Sequence, residues 1–198
     1  MNTEIEVKFA RVDHDNIREK LKAIGAVCEC PMRDMKRVTI DSEHMKSKNA
    51  FIRIRDQVDK VTITYKQFDE LSLNGAKEVE LVIDDFDNAI AFFAVIGLPH
   101  HSYQESRRET WKLDGAEIVL DEWPWLDPYI EIEGPSEKIV KSIAKKLGFN
   151  WSDAIFGDVM SAYRAQYPHL NKHQTIGNLK EVKFGNDLPD ILKPSKKN

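Results

Sequence analysis

The chain has little cysteine, no glycine-rich phosphate loop and no long hydrophobic run, and each absence excludes a class of protein. Its two cysteines, Cys28 and Cys30, are separated by a single residue, a spacing that fits neither a zinc site nor a CxxC redox motif. We interpret them as ordinary thiols of a reducing cytoplasm. Without a glycine-rich loop, phosphate would have to be bound by side chains.

Signals for membranes, secretion and nucleic acids are also missing. The longest apolar run, 89–98, is too short to cross a bilayer, and no basic segment followed by an apolar core opens the sequence. The formal net charge of -4 argues against general binding of nucleic acids, because phosphate backbones require a basic face. We therefore expect a cytoplasmic protein that binds neither membranes nor nucleic acids.

Hydrophobic periodicity predicts a protein rich in strands. A length of 198 residues suits one sizeable domain or at most two small ones. Alternation predicts strands at 3–9, 26–30, 35–41, 51–56, 60–66, 76–83, 103–113, 116–121 and 128–134. Helical spacing predicts helices at 13–25, 85–97, 136–148 and 152–167, with loops at 42–49 and 68–75. Strands joined mostly by short turns indicate an α+β fold with a mainly antiparallel sheet.

The charges on the predicted strands are sorted by sign. The acidic pairs are Glu4 with Glu6, Glu78 with Glu80, and Glu131 with Glu133, and the basic pair is Arg53 with Arg55. Any one pair is typical of an antiparallel strand with a solvent-exposed face. Taken together the pairs are unusual, because like charges at neighbouring positions on one face repel each other.

These faces have a chemical use if they turn inward around a barrel. Crowded carboxylates raise one another's pKa unless cations lie among them, and clustered oxygen ligands suit Mg²⁺ or Mn²⁺. The basic residues would need an anion, and a triphosphate that chelates the metal satisfies both groups. The charge pattern therefore predicts a metal-dependent site for polyphosphate or nucleotide.

The order of these motifs resembles that of the CYTH superfamily, the triphosphate tunnel metalloenzymes. The family's N-terminal ExExK strand is matched by Glu4-Ile5-Glu6-Val7-Lys8. The later matches, in family order, are Arg53 and Arg55, Lys66, Glu78 and Glu80, Arg108, Leu120 and Asp121, and Glu131 and Glu133. The resemblance covers residues 1–167, which we predict to be the domain, with 168–198 as a partly irregular C-terminal extension or tail.

The resemblance implies an eight-stranded antiparallel β-barrel, the triphosphate tunnel, with helices packed outside. The implied triphosphate-binding residues are Lys8, Arg53, Arg55, Lys66 and Arg108. The implied ligands of Mg²⁺ or Mn²⁺ are Glu4, Glu6, Glu78, Glu80, Asp121, Glu131 and Glu133, and the candidate catalytic residues among them are Glu4, Glu6, Asp121, Glu131 and Glu133. Many relatives have Lys-x-Arg in the later basic strand, whereas this chain has Ser106 before Arg108. Either one phosphate contact is missing or Lys112 supplies it.

The resemblance implies that the substrate is a small triphosphate, and it leaves three functions open. The first is hydrolysis of the terminal phosphate of tripolyphosphate, a nucleoside triphosphate or thiamine triphosphate. The second is cyclisation of ATP to cyclic AMP and pyrophosphate, and the third is a non-catalytic binding module. We favour hydrolysis because it needs no base pocket, although Trp123 and Trp125 could stack on a base. Relatives with this fold often pair, so a homodimer is one expected assembly.

Overall fold

The computed structural model describes residues 1–70, 72–171 and 173–194, and its centre is a β-barrel. The strands are β1 (Asn2–Thr3), β2 (Glu6–Ala10), β3 (Val27–Ile40), β4 (Ala50–Asp56), β5 (Val61–Phe68), β6 (Ala76–Ile83), β7 (Ser102–Leu113), β8 (Ala116–Trp123), β9 (Leu126–Glu133) and β10 (Glu181–Val182). Neighbouring strands follow the order β1-β6-β5-β4-β3-β7-β8-β9-β2. All of these pairs are antiparallel, and β10 adds a short parallel pairing with β7.

The first segment of the chain closes the barrel. Thr3 on β1 pairs with Lys77 at one edge of the sheet, and Glu6 on β2 pairs with Glu133 at the other edge. Between them the backbone N–H of Glu4 donates to the carbonyl of Ala76 at 3.0 Å. Since β1 and β2 are parts of one extended segment, the ring contains eight antiparallel strands. The predicted α+β fold with an eight-stranded barrel is confirmed.

In the described parts of the chain, five α-helices pack outside this barrel. They are α1 (His14–Ala23), α2 (Glu43–Lys46), α3 (Phe86–Val95), α4 (Glu137–Lys146) and α5 (Val159–Gln166). Each begins after an Asp or Ser whose side chain accepts a backbone N–H of the first turn, as helix capping requires. Leu21 of α1 and Ile143 of α4 are fully buried against the outward faces of β2, β8 and β9. Within the described ranges, no helix is both long enough and apolar enough to cross a bilayer.

Two local predictions in the first 50 residues were wrong. The two strands predicted at 26–30 and 35–41 form the single strand β3, whose register shifts on both sides of Cys30. Pro31 lies within this irregular part, and it cannot donate a hydrogen bond to the neighbouring strand. The loop predicted at 42–49 contains α2. Residue 71, in the loop predicted at 68–75, lies outside the described residues.

The helix predicted at 152–167 begins later than expected. A 3-10 turn at Trp151–Asp153 comes first, and Ile155 then bridges Lys8 through two backbone hydrogen bonds of 2.9 Å. Gly157 has a φ of 101°, in the region that favours glycine, and α5 starts only at Val159. Pairing with β2 therefore displaces the first turns of the expected helix.

The C-terminal extension packs along the barrel. Val182 on β10 and Leu192, in the 3-10 turn Asp190–Leu192, are fully buried, in one cluster with Trp123 and Tyr163. The indole Nε1 of Trp125 donates to the carbonyl of Asn186 at 2.8 Å. Residues 195–198, the end of the predicted tail, lie outside the described residues.

Candidate active site

The barrel encloses a cavity of about 590 Å³ whose lining is dominated by charged side chains. This volume lies in the usual range for small-molecule sites, about 300–1,000 Å³. The sequence-predicted residues that line it are Glu4, Glu6, Lys8, Arg53, Arg55, Lys66, Glu78, Glu80, Arg108, Glu131 and Glu133. They meet because alternate residues of each strand point to the same side of the sheet.

Carboxylates crowd one part of the cavity. Glu6 on β2 pairs in register with Glu133 on β9, and Glu133 in turn pairs with Glu117 on β8. Burial, reinforced by neighbouring carboxylates that include Glu131, raises the pKa of Glu6 and of Glu133 to about 7. These two side chains therefore keep their protons to a higher pH than an ordinary glutamate does.

Two buried lysines lie among the carboxylates. Lys8 Nζ lies 3.2 Å from Glu6 Oε1 and 3.3 Å from Glu131 Oε2, and it donates to the carbonyl of Gly157 at 2.6 Å. Lys66 Nζ lies 2.5 Å from Glu4 Oε2 and 3.9 Å from the same Glu6 Oε1. Burial alone would lower the pKa of Lys8, but Glu131 and Glu6 outweigh it and raise that pKa.

Glu131 shows the reciprocal effect. Burial would raise the pKa of Glu131, but the charges of Lys8 and Arg108 outweigh burial and hold it below its ordinary range. Protein cations alone therefore keep the Glu131 carboxylate ionised.

Arginines dominate another part of the cavity. The Nε atoms of Arg53 and Arg55 on β4 are buried without a hydrogen-bond partner among the described residues, as are Nε and Nη1 of Arg33. Burial and the neighbouring charge of Arg53 lower the pKa of Arg55. Buried N–H groups without acceptors are costly, and guanidinium groups match the geometry of phosphate oxygens. The arginines therefore fit an anion.

Arg33 and Arg37 on β3 line the cavity but were missed from the sequence. The predicted strand starts at Met35, so the sequence did not indicate that Arg33, Met35 and Arg37 share one face of it. The Arg37 guanidinium lies 4.3 Å from the ring centroid of Trp123, and its Nε donates to Gln104 Oε1 at 2.8 Å. Burial and Arg53 lower the pKa of Arg37 to about 9.

Asp121 occupies a different position from the other predicted site residues. It is fully buried and is not part of the cavity lining. Its carboxylate accepts two hydrogen bonds from Arg108, from Nε at 2.7 Å and from Nη2 at 2.6 Å. In this arrangement Asp121 orients Arg108 toward the cavity.

The later basic strand contributes one cation to the cavity. Ser106 lines the cavity beside Arg108, at the position where the resemblance implies a lysine. Lys112 lies outside the lining, where its Nζ donates to Glu117 Oε2 at 2.7 Å. Lys112 therefore does not replace the missing lysine in this structure.

The carboxylates suit a divalent cation by chemistry, but lysines now lie between them. Within the part of the chain that the structure describes, no three His, Cys, Asp or Glu side chains converge as metal ligands would. Glu4, Glu6, Glu131 and Glu133 offer only oxygen donors, which Mg²⁺ and Mn²⁺ prefer. A cation would also remove the repulsion that raises the pKa of Glu6 and Glu133. The donor set fits the metal once the lysines move.

Comparison with known proteins decides the family. The family model of the CYTH domain matches residues 2–152. The chain belongs to the CYTH family. No protein of curated function matches the chain significantly.

Solved structures share the CYTH fold. The PH1012 protein from Pyrococcus horikoshii is similar at 24% identity and a TM-score of 0.67, over 80% of this chain and 98% of that one. A candidate adenylate cyclase from Vibrio parahaemolyticus has 12% identity and a TM-score of 0.67, over 81% and 97% of the two chains. The candidate adenylyl cyclase HpAC1 from Hippeastrum, described as having a dominant triphosphatase activity, has 15% identity and a TM-score of 0.56, over 82% and 96%. These likenesses show the fold.

The cavity wall extends beyond the CYTH match. The match ends at residue 152, yet Asp158 and Val159 line the cavity and the carbonyl of Gly157 accepts the hydrogen bond from Lys8. The start of α5 is therefore part of the site in this CYTH protein.

Proposed function

We propose that this CYTH protein hydrolyses the terminal phosphoryl group of a triphosphate inside its barrel, with Mg²⁺ or Mn²⁺ bound by the glutamates. The observation that carries the proposal is that one cavity holds both buried, unpartnered guanidinium nitrogens of Arg53 and Arg55 and a wall of carboxylates. Phosphate oxygens are the acceptors that these N–H groups lack. The carboxylates need a cation, which a chelated triphosphate brings with it.

Each part of the cavity has a role in this reaction. Arg53 and Arg55 hold phosphate oxygens through paired N–H donors, and Arg108, fixed by Asp121, adds a further oriented cation. Bound metal would lower the pKa of its water and neutralise charge on the phosphates. Glu133 forms no ion pair with a described residue, so its carboxylate can bind the metal without displacing a lysine.

The surroundings of Trp123 favour hydrolysis over cyclisation. A cyclase must hold the adenine and ribose of ATP as well as its phosphates. The Trp123 ring is buried and carries the Arg37 guanidinium on its face, and Trp125 points to the C-terminal extension instead. Trp123 lines the cavity, but a base could stack on this face of its ring only by displacing Arg37, and the Trp125 indole is held by the extension.

A substrate panel tests the proposal. Tripolyphosphate, ATP and thiamine triphosphate are each incubated with the protein in Mg²⁺, Mn²⁺ or EDTA, and the products are separated. We expect orthophosphate, and only with metal. Formation of cyclic AMP and pyrophosphate would show that the reaction is cyclisation and not hydrolysis. Tight binding without any product would indicate a non-catalytic binding module.

Two isosteric substitutions test the carboxylate wall. Glu4→Gln and Glu131→Gln keep the shape of the side chain but remove a metal ligand, so we expect metal-dependent hydrolysis to fall by at least about 100-fold. Circular dichroism should show that both variants remain folded. Glu122→Gln is the matched control, because Glu122 also lies on a barrel strand but contacts Arg107 and His14 outside the cavity. Normal activity in both Glu4→Gln and Glu131→Gln would contradict the site.

A further inference from the structure

The two buried lysines share their carboxylate oxygens. Glu6 Oε1 lies 3.2 Å from Lys8 Nζ and 3.9 Å from Lys66 Nζ, so one oxygen lies between two ammonium groups. Lys66 also contacts Glu4, and Lys8 also contacts Glu131. Three of the four acids proposed to hold metal are thus already occupied by protein cations.

We infer that Lys8 and Lys66 act as internal counter-cations, which occupy the carboxylate cluster when metal is absent and turn to the phosphates when metal binds. The inference rests on the proposed function and adds to it a coupling between binding of the metal and binding of the triphosphate. In this scheme the lysines and the metal compete for the same oxygens, so binding of one requires displacement of the other.

Geometry and charge make this competition strict. A lysine ammonium is a compact point charge that several oxygens can surround, much as they surround a small metal ion. Mg²⁺ draws its oxygen ligands to about 2.0–2.1 Å, well inside the present contacts of the lysines. A dication and an ammonium on one carboxylate oxygen repel each other strongly in a buried site. The two cannot remain together around Glu6.

The displaced lysines have a destination in the same cavity. Lys8 and Lys66 both line it together with the arginines, so each reaches phosphate oxygens by a change of side-chain rotamer. The carbonyl of Gly157, at 2.6 Å from Lys8 Nζ, offers an acceptor that does not depend on the carboxylates. Metal therefore frees cations for the triphosphate, and the triphosphate holds the lysines away from the metal. By linkage, each ligand strengthens binding of the other.

A matched pair of variants separates this competition from a general effect of charge. Lys66→Met and Arg55→Met each remove one cation from the cavity, but only Lys66 contacts carboxylates, whereas Arg55 forms no ion pair with a described residue. Titration with Mn²⁺ alone, followed by calorimetry, should show about tenfold tighter binding to Lys66→Met than to wild type. Arg55→Met should stay within about threefold of wild type. Equal Mn²⁺ affinities for the two variants would overturn the inference.

Lysine ammonium resonances of the wild-type protein give a test that needs no variant. Buried, hydrogen-bonded ammonium groups of Lys8 and Lys66 should give slowly exchanging NMR signals, and saturating Mg²⁺ should shift or remove both. Metal-stimulated hydrolysis with both signals unchanged would overturn the inference and leave the proposed function standing. Displaced signals without any metal-dependent product would instead overturn the proposed function alone. Failure of Mg²⁺ and Mn²⁺ to bind would overturn both.

Discussion

At the scale of single residues, Glu133 shows how the site opposes the stability of the fold. Its pKa, ordinarily 4.5, is raised to about 7 by burial and by the carboxylates of Glu4, Glu131 and Glu6. Between pH 4.5 and 7 the folded protein keeps the proton that the unfolded chain releases. Raising the pH through this window therefore removes stability from the metal-free protein.

Glu133→Gln should reverse this loss. A glutamine resembles the protonated acid at every pH, so we expect the free energy of unfolding at pH 8 to rise by about 3 kcal/mol, with little change at pH 5. Urea denaturation in EDTA at the two pH values measures this. Glu122→Gln, outside the cavity, should change neither value appreciably. An equal effect of Glu133→Gln at pH 5 and pH 8 would show that its proton is not responsible.

Asp121 illustrates a role that the motif alone does not reveal. The sequence resemblance grouped it with the metal ligands, and that assignment stays a prediction. The structure places it behind Arg108, with both carboxylate oxygens in a bidentate pair and no exposure to the cavity. A charge in that position acts on substrate through the arginine that it orients.

At the scale of secondary-structure elements, the difference between local and long-range signals decides what could be predicted. The strands that carry sign-sorted charges have clear alternation, so their faces were predictable. The first turns of the helix expected at 152–167 have acceptable local signals, including Ser152 and Asp153 as caps. Two backbone hydrogen bonds between Ile155 and Lys8 override them, and the partner strand lies far away in sequence.

The packing of the C-terminal extension also depends on contacts that are distant in sequence, and a substitution tests it directly. Leu192 is fully buried although its segment has no clear periodicity. Leu192→Ala should lower the free energy of unfolding by about 2–5 kcal/mol, because it leaves a cavity in the cluster around Trp123 and Tyr163. Leu188→Ala in the same segment is the control, since Leu188 is 36% exposed and should cost less than about 1 kcal/mol. A loss below about 1 kcal/mol for Leu192→Ala as well would show that the extension contributes little to the core.

At the scale of the whole molecule, the ordered motifs predicted the barrel, its strand count and eleven of the side chains that line the cavity. They did not reveal Arg33 and Arg37, because an irregular strand hid their shared face. They also could not show that Lys8 and Lys66 lie on the carboxylates in the absence of metal, since the contacts of Lys66 with Glu4 and of Lys8 with Glu131 join strands that are distant in sequence. The homodimer expected from the sequence stays a prediction.

The uneven distribution of charge in the cavity predicts that an anion alone stabilises the protein. Tripolyphosphate in EDTA would give the unpartnered guanidinium nitrogens their acceptors, and at 100 times its Kd it adds about 2.7 kcal/mol. For a chain of this size that raises Tm by roughly 5–10 °C, which differential scanning calorimetry measures. Sodium chloride at equal ionic strength is the control. An equal rise with chloride would mean that general screening, and not a phosphate site, is responsible.

Closure of the barrel by residues 2–10 also bears on how the protein folds during synthesis. Within this segment β1 pairs with β6, whereas β2 pairs with β9, which is synthesised much later. Glu6 can therefore pair with Glu133 only after most of the chain has left the ribosome. Such distant pairings fold slowly. The nascent chain therefore carries its acidic motif on an unpaired strand for most of translation. Charged side chains on an unpaired strand disfavour pairing with a wrong partner, and Glu4, Glu6 and Lys8 place three of them on this strand.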